Sequence, residues 1–519
     1  MKHGFIKVAA ANFDVSIANC KQNADKIIDI AVAAYQSGAQ VVVFPELSLT
    51  GCTCGDLFFS RTLHLSVERE LCRILQETAS TDTIIIVSFP FLVNDKIYNC
   101  SAFCQKGQIL GIIPKSILNF SEQRYFSVYS GEIISIRLGD DFVVFGNNLI
   151  FSDMKLSSLK IGIEIGSEAF ARISPSCRLC ELGATVILNP FSSPELLCAE
   201  EYRSAMLSSL SARNICGYVH TGAGNGESTT DGVFGGYCAI YENGKLLTEK
   251  PALSDNNTLL ITEIDVELIS HERQRNTGFT TQSPSAMQQI FFELDECENE
   301  ITRKIPSSPF IPENISEMSS RCKKTLTIQA KGLAQRIKAA HAQKCVIGIS
   351  GGLDSCLALL VAARAMDILS LPRENIIAVT MPCFGTTQRT KTNAELLCSE
   401  LCTTFKTVDI GNSVIQHFKD IQHDESNRNV VYENAQARER TQVIMDIANM
   451  ENAIVVGTGD LSELVLGWAT YNGDHMSMYG VNGGVPKTFI RCIVSVCADI
   501  ASELGKSGLA NVLRDILDT

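Results

Sequence analysis

The sequence predicts two successive α/β domains, the second built on a parallel, doubly wound sheet. Short apolar runs of strand length alternate with helical patterns through the first 280 or so residues, the mark of a layered α/β domain. The same alternation restarts near Lys324, now as short strands joined by helical crossovers, which a parallel sheet requires. Between the two, residues 282–324 carry Ser283-Pro284, Ser308-Pro309, Pro312 and the charged run Glu293–Glu300, signals that interrupt regular structure. The expected division is therefore a first domain over 1–281, a partly helical connection over 282–324 and a second domain over 325–519. A chain of 519 residues has room for two or three full cores.

In the first domain the strand candidates are Phe5–Ala10, Gln40–Phe44, Thr83–Phe89, Ile161–Ile165, Thr185–Leu188 and Ile215–His220. Helical spacing of apolar residues marks Asn23–Tyr35 and Leu63–Glu77. In the second domain helix Thr325–Ala342 precedes strand Cys345–Ile349 and helix Leu353–Ala363. Strand Ile376–Thr380, helices Thr390–Cys402 and Glu433–Met450, and strand Ala453–Gly457 follow. In such sheets ligands bind outside the carboxyl ends of the strands.

Composition narrows the function. The chain is acidic, with 57 Asp+Glu against 44 Lys+Arg, which argues against a nucleic-acid groove built on bulk charge. Its 20 cysteines are scattered through apolar runs, so they read as buried free thiols of a reducing, cytoplasmic chain. Cys177-Arg-Leu-Cys180 is a lone pair without the second pair of a zinc site. No apolar run reaches the ~18 residues of a membrane span.

The segment Val346-Ile-Gly-Ile-Ser-Gly-Gly-Leu-Asp-Ser355 carries the strongest chemistry. A buried strand ends in a Ser-Gly-Gly turn at a helix start. Glycines let backbone N–H groups close around phosphate oxygens, and the helix dipole favours the anion. Ser350 and Ser355 add donors. Asp354 would repel phosphate unless a divalent cation lay between them, and Glu463 is a second hard oxygen ligand suited to Mg²⁺. Strand Ile376–Thr380 runs into Met381, and strand Ala453–Gly457 into Thr458-Gly-Asp-Leu-Ser-Glu463. Arg438, on its helix, is placed to reach a phosphate or adenine.

These strings resemble known families. Ser350-Gly-Gly-Leu-Asp-Ser355 resembles the pyrophosphate loop of enzymes that adenylate a substrate with ATP. Glu433-Asn-Ala-Gln-Ala-Arg438, Gly457-Thr-Gly-Asp-Leu-Ser-Glu463, Gly467-Trp-Ala-Thr-Tyr-Asn-Gly-Asp474 and Lys487-Thr488 follow the order and spacing of NAD synthetases. The whole chain resembles their two-domain, glutamine-dependent form. That resemblance implies an ATP-pyrophosphatase fold using ATP and Mg²⁺. It implies amidation of nicotinic acid adenine dinucleotide to NAD⁺ through an acyl-adenylate. By the same resemblance, Ser350, Gly351, Gly352, Asp354 and Ser355 hold pyrophosphate, and Asp354 and Glu463 hold the metal. Met381, Arg438 and Thr458 contact ATP, while Tyr471, Asp474 and Lys487 face the dinucleotide. In the family the chain continues beyond the point matching Thr519, so the second domain is expected to be short relative to it.

The first 281 residues resemble nitrilase-type amidases, which implies an αββα sandwich, a Glu–Lys–Cys site and a homo-oligomer. Phe44-Pro-Glu46-Leu-Ser-Leu-Thr-Gly51 matches the segment of the general base, and Ile112-Ile-Pro-Lys115 that of the oxyanion-stabilising lysine. Ser211-Ala-Arg213 and Asn225-Gly-Glu-Ser-Thr-Thr-Asp231 match further strings. The nucleophile does not match: Gly166 stands where the thiol belongs, and glycine cannot attack an amide. The segment Ser116–Glu122 is shorter than usual, and Phe191-Ser-Ser193 departs from the triplet used for the amide substrate. The expectation is a silent amidase domain beside a synthetase that takes ammonia rather than glutamine. Two other readings stay open, a non-catalytic scaffold retaining nucleotide binding and a different ATP-dependent amidotransferase.

Overall fold

The computed structural model describes residues 2–139, 141–230, 232–254, 258–280, 287–295, 300–384 and 388–518. Asp231, the Ser283-Pro284 pair, residues 296–299 of the charged run, residues 385–387 and Thr519 lie outside the described residues. The chain forms two units, Met1–Lys304 and Ile305–Thr519.

The first unit holds two mixed sheets. One runs in the order Thr258–Asp265, Phe5–Asn12, Val41–Val43, Ile84–Val93, Lys96–Gln105, Gln108–Pro114, Asp141–Phe145, Ile134–Leu138. The other runs Lys245–Lys250, Cys238–Glu242, Gly217–Gly222, Val186–Phe191, Lys160–Ile163, Leu149–Asp153, Gln288–Phe292. Alternate residues of each strand point to opposite faces. Ile6, Val8 and Ala10 therefore meet Ile161, Val186 and Leu188 in a core between the sheets. Their neighbours Ala9 and Ala11 pack outward with Ile27 and Ala31 of helix Cys20–Gln36 and with Leu71 and Ile74 of helix Arg61–Glu77. On the far side Ile187 and Tyr218 pack with Leu179 and Leu207 of helices Pro175–Glu181 and Ala199–Asn214. The result is the expected αββα layering. Burial of each large aliphatic contributes roughly 1.5–3 kcal/mol.

The expected connection at 282–324 is divided between the two units. Gln288–Phe292 pairs in parallel with Leu149–Asp153 at the edge of the second sheet. Farther on, Glu263 accepts from the Thr302 and Arg303 amides at 3.1 and 2.8 Å, and Arg303 forks onto Glu242 at 2.7 and 3.0 Å. These bonds seat the chain on the first unit up to Lys304. Helix Ile315–Ala339 then opens the second unit, capped by Asn314, whose side chain accepts from the Ser316 and Glu317 amides.

The second unit carries an all-parallel sheet in the order Thr404–Thr407, Ile376–Thr380, Lys344–Gly348, Ala453–Gly457, Tyr479–Gly480. Cys345 and Ile347 face a core with Leu333, Leu357, Ile490 and Leu513. Val346 and Val455 face the other, with Val414 and Phe418. Strands buried on both faces read as unbroken apolar runs, which is why sequence located them well. The strand order reverses direction between Lys344–Gly348 and Ala453–Gly457, which makes that gap the switch point. Among the described residues no helix is long and apolar enough to cross a membrane.

Candidate functional site

Both strands at the switch point end in residues singled out from sequence. After Lys344–Gly348 the backbone turns through Gly351 at φ +78°, a left-handed geometry costly for any residue with a Cβ. Ser355 Oγ accepts from the Ser350 amide at 3.3 Å and donates to the Gly352 carbonyl at 3.0 Å. The Gly352 amide in turn donates to Ser350 Oγ at 3.2 Å. Helix Leu353–Leu369 starts from Gly352 with no side-chain cap, which leaves its first N–H groups for an anion.

Beside this loop Asp354, Asp460 and Glu463 bring carboxylate oxygens within 4.8 Å of one another. A capping box fixes two of them: Asp460 Oδ1 accepts from the Glu463 amide at 2.8 Å, and Glu463 Oε2 accepts from the Asp460 amide at 3.2 Å. The Lys487 ammonium hydrogen-bonds Asp354 Oδ2 and lies 3.3 Å from Asp460 and 3.8 Å from Glu463. Burial pushes the Asp354 carboxyl up, against the pull of Lys487, and also raises Glu463. Burial would lower Lys487, but the bond to Asp354 and its charge hold the lysine above its ordinary range. Asp354 Oδ1 and Asp460 Oδ2 are buried without a hydrogen bond among the described residues. Three carboxylates sharing one ammonium, with Asp354 Oδ1 unpartnered and Asp460 Oδ2 met only by the Lys487 charge, fit a divalent cation that prefers oxygen.

Asn482 ties the two loops together. Its side-chain amide donates to the carbonyls of Asp354 and Thr458, both at 3.0 Å, while its own oxygen accepts from Gln329 at 3.1 Å. The remaining residues named from sequence distribute as follows. The Met381 methyl approaches Gly348 at the base of the phosphate loop. Arg438 Nε donates to the Tyr471 carbonyl at 3.1 Å, so those two residues are brought together. Asp474 accepts from the Thr470 amide at 2.7 Å and shapes its own loop. Lys487, expected on the dinucleotide, also reaches the three acids. Sequence reasoning passed over Asp460 and Asn482. Asp460 was legible as the first residue of the Asp-x-x-Glu capping signature; Asn482 carried no signal.

In the first unit Glu46 follows strand Val41–Val43, Lys115 follows Gln108–Pro114, and Gly166 lies just past Lys160–Ile163. Lys115 donates to Glu46 Oε1 at 2.6 Å and to Glu122 at 2.5 Å, and Asn99 also donates to Glu46 Oε1, at 2.7 Å. Glu122, missed from sequence, is part of this centre despite the short segment that carries it. Glu168 accepts from the amides of Ser116 and Ile117 and clamps that segment down. Burial pushes Glu46 up to about 7, with Lys115 opposing. Gly166 adopts φ +59°, and a Cβ there would fall 2.3 Å from Glu46 Oε2 and 2.5 Å from Lys115 Nζ. The structure thus brings Glu46, Lys115 and Gly166 together. Cys177 and Cys180 lie unpaired on helix Pro175–Glu181.

Fold and sites together define a two-unit carbon–nitrogen ligase, an amidase-like unit joined to an ATP-type unit. Comparison with known proteins agrees. The carbon-nitrogen hydrolase family matches residues 7–274 and the NAD synthase family residues 326–495. A protein of Mycobacterium tuberculosis (strain ATCC 25618 / H37Rv) named glutamine-dependent NAD(+) synthetase is 37% identical over 535 residues, covering 100% of this chain and 78% of its own length. A protein of that name in Mycobacterium leprae (strain TN) is 36% identical over 533 residues, covering 99% and 78%. Another in Aquifex aeolicus (strain VF5) is 24% identical over 521 residues, covering 98% and 85%. The chain belongs to the glutamine-dependent NAD(+) synthetase family.

Proposed function

We propose that the chain makes NAD⁺ by amidating nicotinic acid adenine dinucleotide with ATP, and that its nitrogen comes from free ammonia. The family supports the first half, and Gly166 carries the second. No side chain at 166 can form the thioester that releases ammonia from glutamine. Cys52, the thiol nearest in sequence to Glu46, is held in its neutral form. Burial, and then the charge of Glu227, push its thiol well above the ordinary range, so the reactive thiolate is scarce.

In the second unit a carboxylate oxygen of the dinucleotide attacks the α-phosphorus of ATP, and pyrophosphate leaves. The uncapped start of helix Leu353–Leu369 holds the departing pyrophosphate. A divalent cation held by Asp354, Asp460 and Glu463 would offset the charge of the phosphates. Ammonia then attacks the acyl carbon, AMP leaves, and the amide nitrogen loses a proton. Lys487 belongs to this charge network.

The test is NAD⁺ formation from the deamido dinucleotide and MgATP, fed either ammonium or glutamine. Product with ammonium, none with glutamine and no glutamate released is the expected outcome. Glutamate release in a preparation freed of contaminating amidase would overturn the ammonia half. Nucleotide binding without product under either feed would favour the scaffold reading.

A further inference from the structure

Gln329 lies on the buried face of helix Ile315–Ala339, which supplies none of the site residues named from sequence, and is only 8% exposed. Its side-chain nitrogen donates to the Val481 carbonyl at 3.0 Å and to Asn482 Oδ1 at 3.1 Å. Its own oxygen, Oε1, is buried and without a hydrogen bond among the described residues. A buried amide oxygen left that way costs stability. An apolar side chain of the same length would avoid the cost, so packing alone does not account for a glutamine here.

The direction of both amides is fixed by the groups around them. A backbone carbonyl can only accept, so the Gln329 group facing Val481 is the NH₂. The same NH₂ faces Asn482, which must answer with its oxygen. The Asn482 NH₂ is thereby turned to the carbonyls of Asp354 and Thr458. Turned over, Asn482 would set its oxygen against two carbonyl oxygens and its NH₂ against that of Gln329. Asp354 stands in the first turn of helix Leu353–Leu369, and Thr458 leads into the capping box of Asp460 and Glu463. One asparagine amide therefore spans the two strand-end loops, and Gln329 sets the direction of that amide.

We propose that Gln329 is a positioning residue for ATP, which orients Asn482 and through it holds the phosphate loop and the acid loop in register. The proposal rests on the reading of this site as an ATP site. Without the Gln329 donor the Asn482 amide loses its anchor, and its hold on the two carbonyls loosens.

Gln329→Met keeps the length of the side chain and removes its donor; Gln329→Leu removes the donor from a shorter side chain. Both are compared, in the full chain, with Asn482→Ala and with the double variant Gln329→Met/Asn482→Ala. The measurements are the Kd of a non-hydrolysable MgATP analogue, the KM for ATP and kcat in NAD⁺ formation from ammonium, and the thermal midpoint without nucleotide. Gln329→Met is expected to raise Kd and KM about tenfold, the effect of losing one buried donor, with kcat at saturating ATP and the midpoint close to wild type. In the Asn482→Ala background the same substitution should change neither constant further, because Gln329 acts through Asn482. An unchanged Kd in both Gln329 variants, an additive effect in the double variant, or loss of the fold in both single variants overturns the proposal. The Kd needs no turnover, which separates the two ideas. A wild-type chain that binds the analogue and forms no NAD⁺ sinks the proposed function, while the Kd of the Gln329 variants still decides the relay. NAD⁺ formation with an unchanged KM in those variants does the reverse.

Discussion

At residue 166 a left-handed backbone meets the tips of Glu46 and Lys115. A cysteine there must strain the backbone, at about 1–3 kcal/mol, and displace an ion pair. Gly166→Cys is therefore expected to lower the unfolding free energy by that amount in denaturant titration and to hydrolyse little or no glutamine. Robust glutamate release by the variant would show that the short segment after Lys115 still closes over an amide. At the other site, Asp354→Asn and Glu463→Gln should each cut ATP-dependent pyrophosphate release to near background with far-UV circular dichroism unchanged. Unaltered release in both would remove the metal assignment. A third residue governs stability. Glu164 is wholly buried, accepts from Tyr218 at 2.5 Å and from the Ser176 amide at 2.8 Å, and burial pushes it up to about 7. The folded state binds a proton that the unfolded chain gives up near 4.5. Its stabilising share is whole below that value and is lost as pH rises through about 7. Glu164→Gln should flatten the fall in stability of the first unit between pH 4.5 and 7. An unchanged pH slope would show that the carboxyl stays ionised.

Elements differ in how openly the sequence declares them. Lys344–Gly348, Ile376–Thr380 and Ala453–Gly457 were found almost to the residue because both faces are apolar. Lys96–Gln105 was not proposed, since its buried residues include Asn99 and Ser101, and Ser101 is satisfied only by pairing with Ser88 at 2.7 Å. Helices Gly411–Asp420, Lys487–Glu503 and Ser507–Leu517 were also left unassigned, although Val414 and Phe418, Ile490 and Ile493, and Leu509 and Leu513 recur at helical spacing. The string Lys487-Thr488 is itself the start of a helix. The coupling between strand ends was invisible in sequence, because Asn482 reaches residues 24 and 128 positions away. Asn482→Ala would strip the Asp354 and Thr458 carbonyls of a buried donor, at about 1–3 kcal/mol. Its expected signature is a raised KM for ATP with little change in kcat at saturation. An unchanged KM would mean that the two loops hold position independently.

On the scale of the whole chain, each unit has its own cores and its own site. Residues 305–519 expressed alone should unfold cooperatively and gain about 2.7 kcal/mol at MgATP one hundred times its Kd. Failure to fold, or no nucleotide effect, would show that the second unit depends on the first. The two-unit plan was legible from the restart of alternation near Lys324. Strand Gln288–Phe292, inside the expected connection, escaped because it has two polar residues and lies at a sheet edge, where apolar periodicity is weakest. Glu46, Lys115 and Gly166, named from sequence, lie together in the first unit. Glu122 carried no signal of its own, because the segment Ser116–Glu122 departs from the family spacing that would have marked it.

The crowding around Gly166 makes a side chain at this position easier to lose than to regain. Removing a side chain there needs a single change and relieves a strained backbone. Restoring one must work against the geometry of a residue that fits only glycine easily and against two charged groups already in contact. A lineage that has crossed this point is more readily shaped toward better use of dissolved nitrogen than back toward cutting amides. Relatives with glycine here would then be expected to vary freely in the surrounding walls while holding Glu46 and Lys115, whose mutual attraction needs no nucleophile between them.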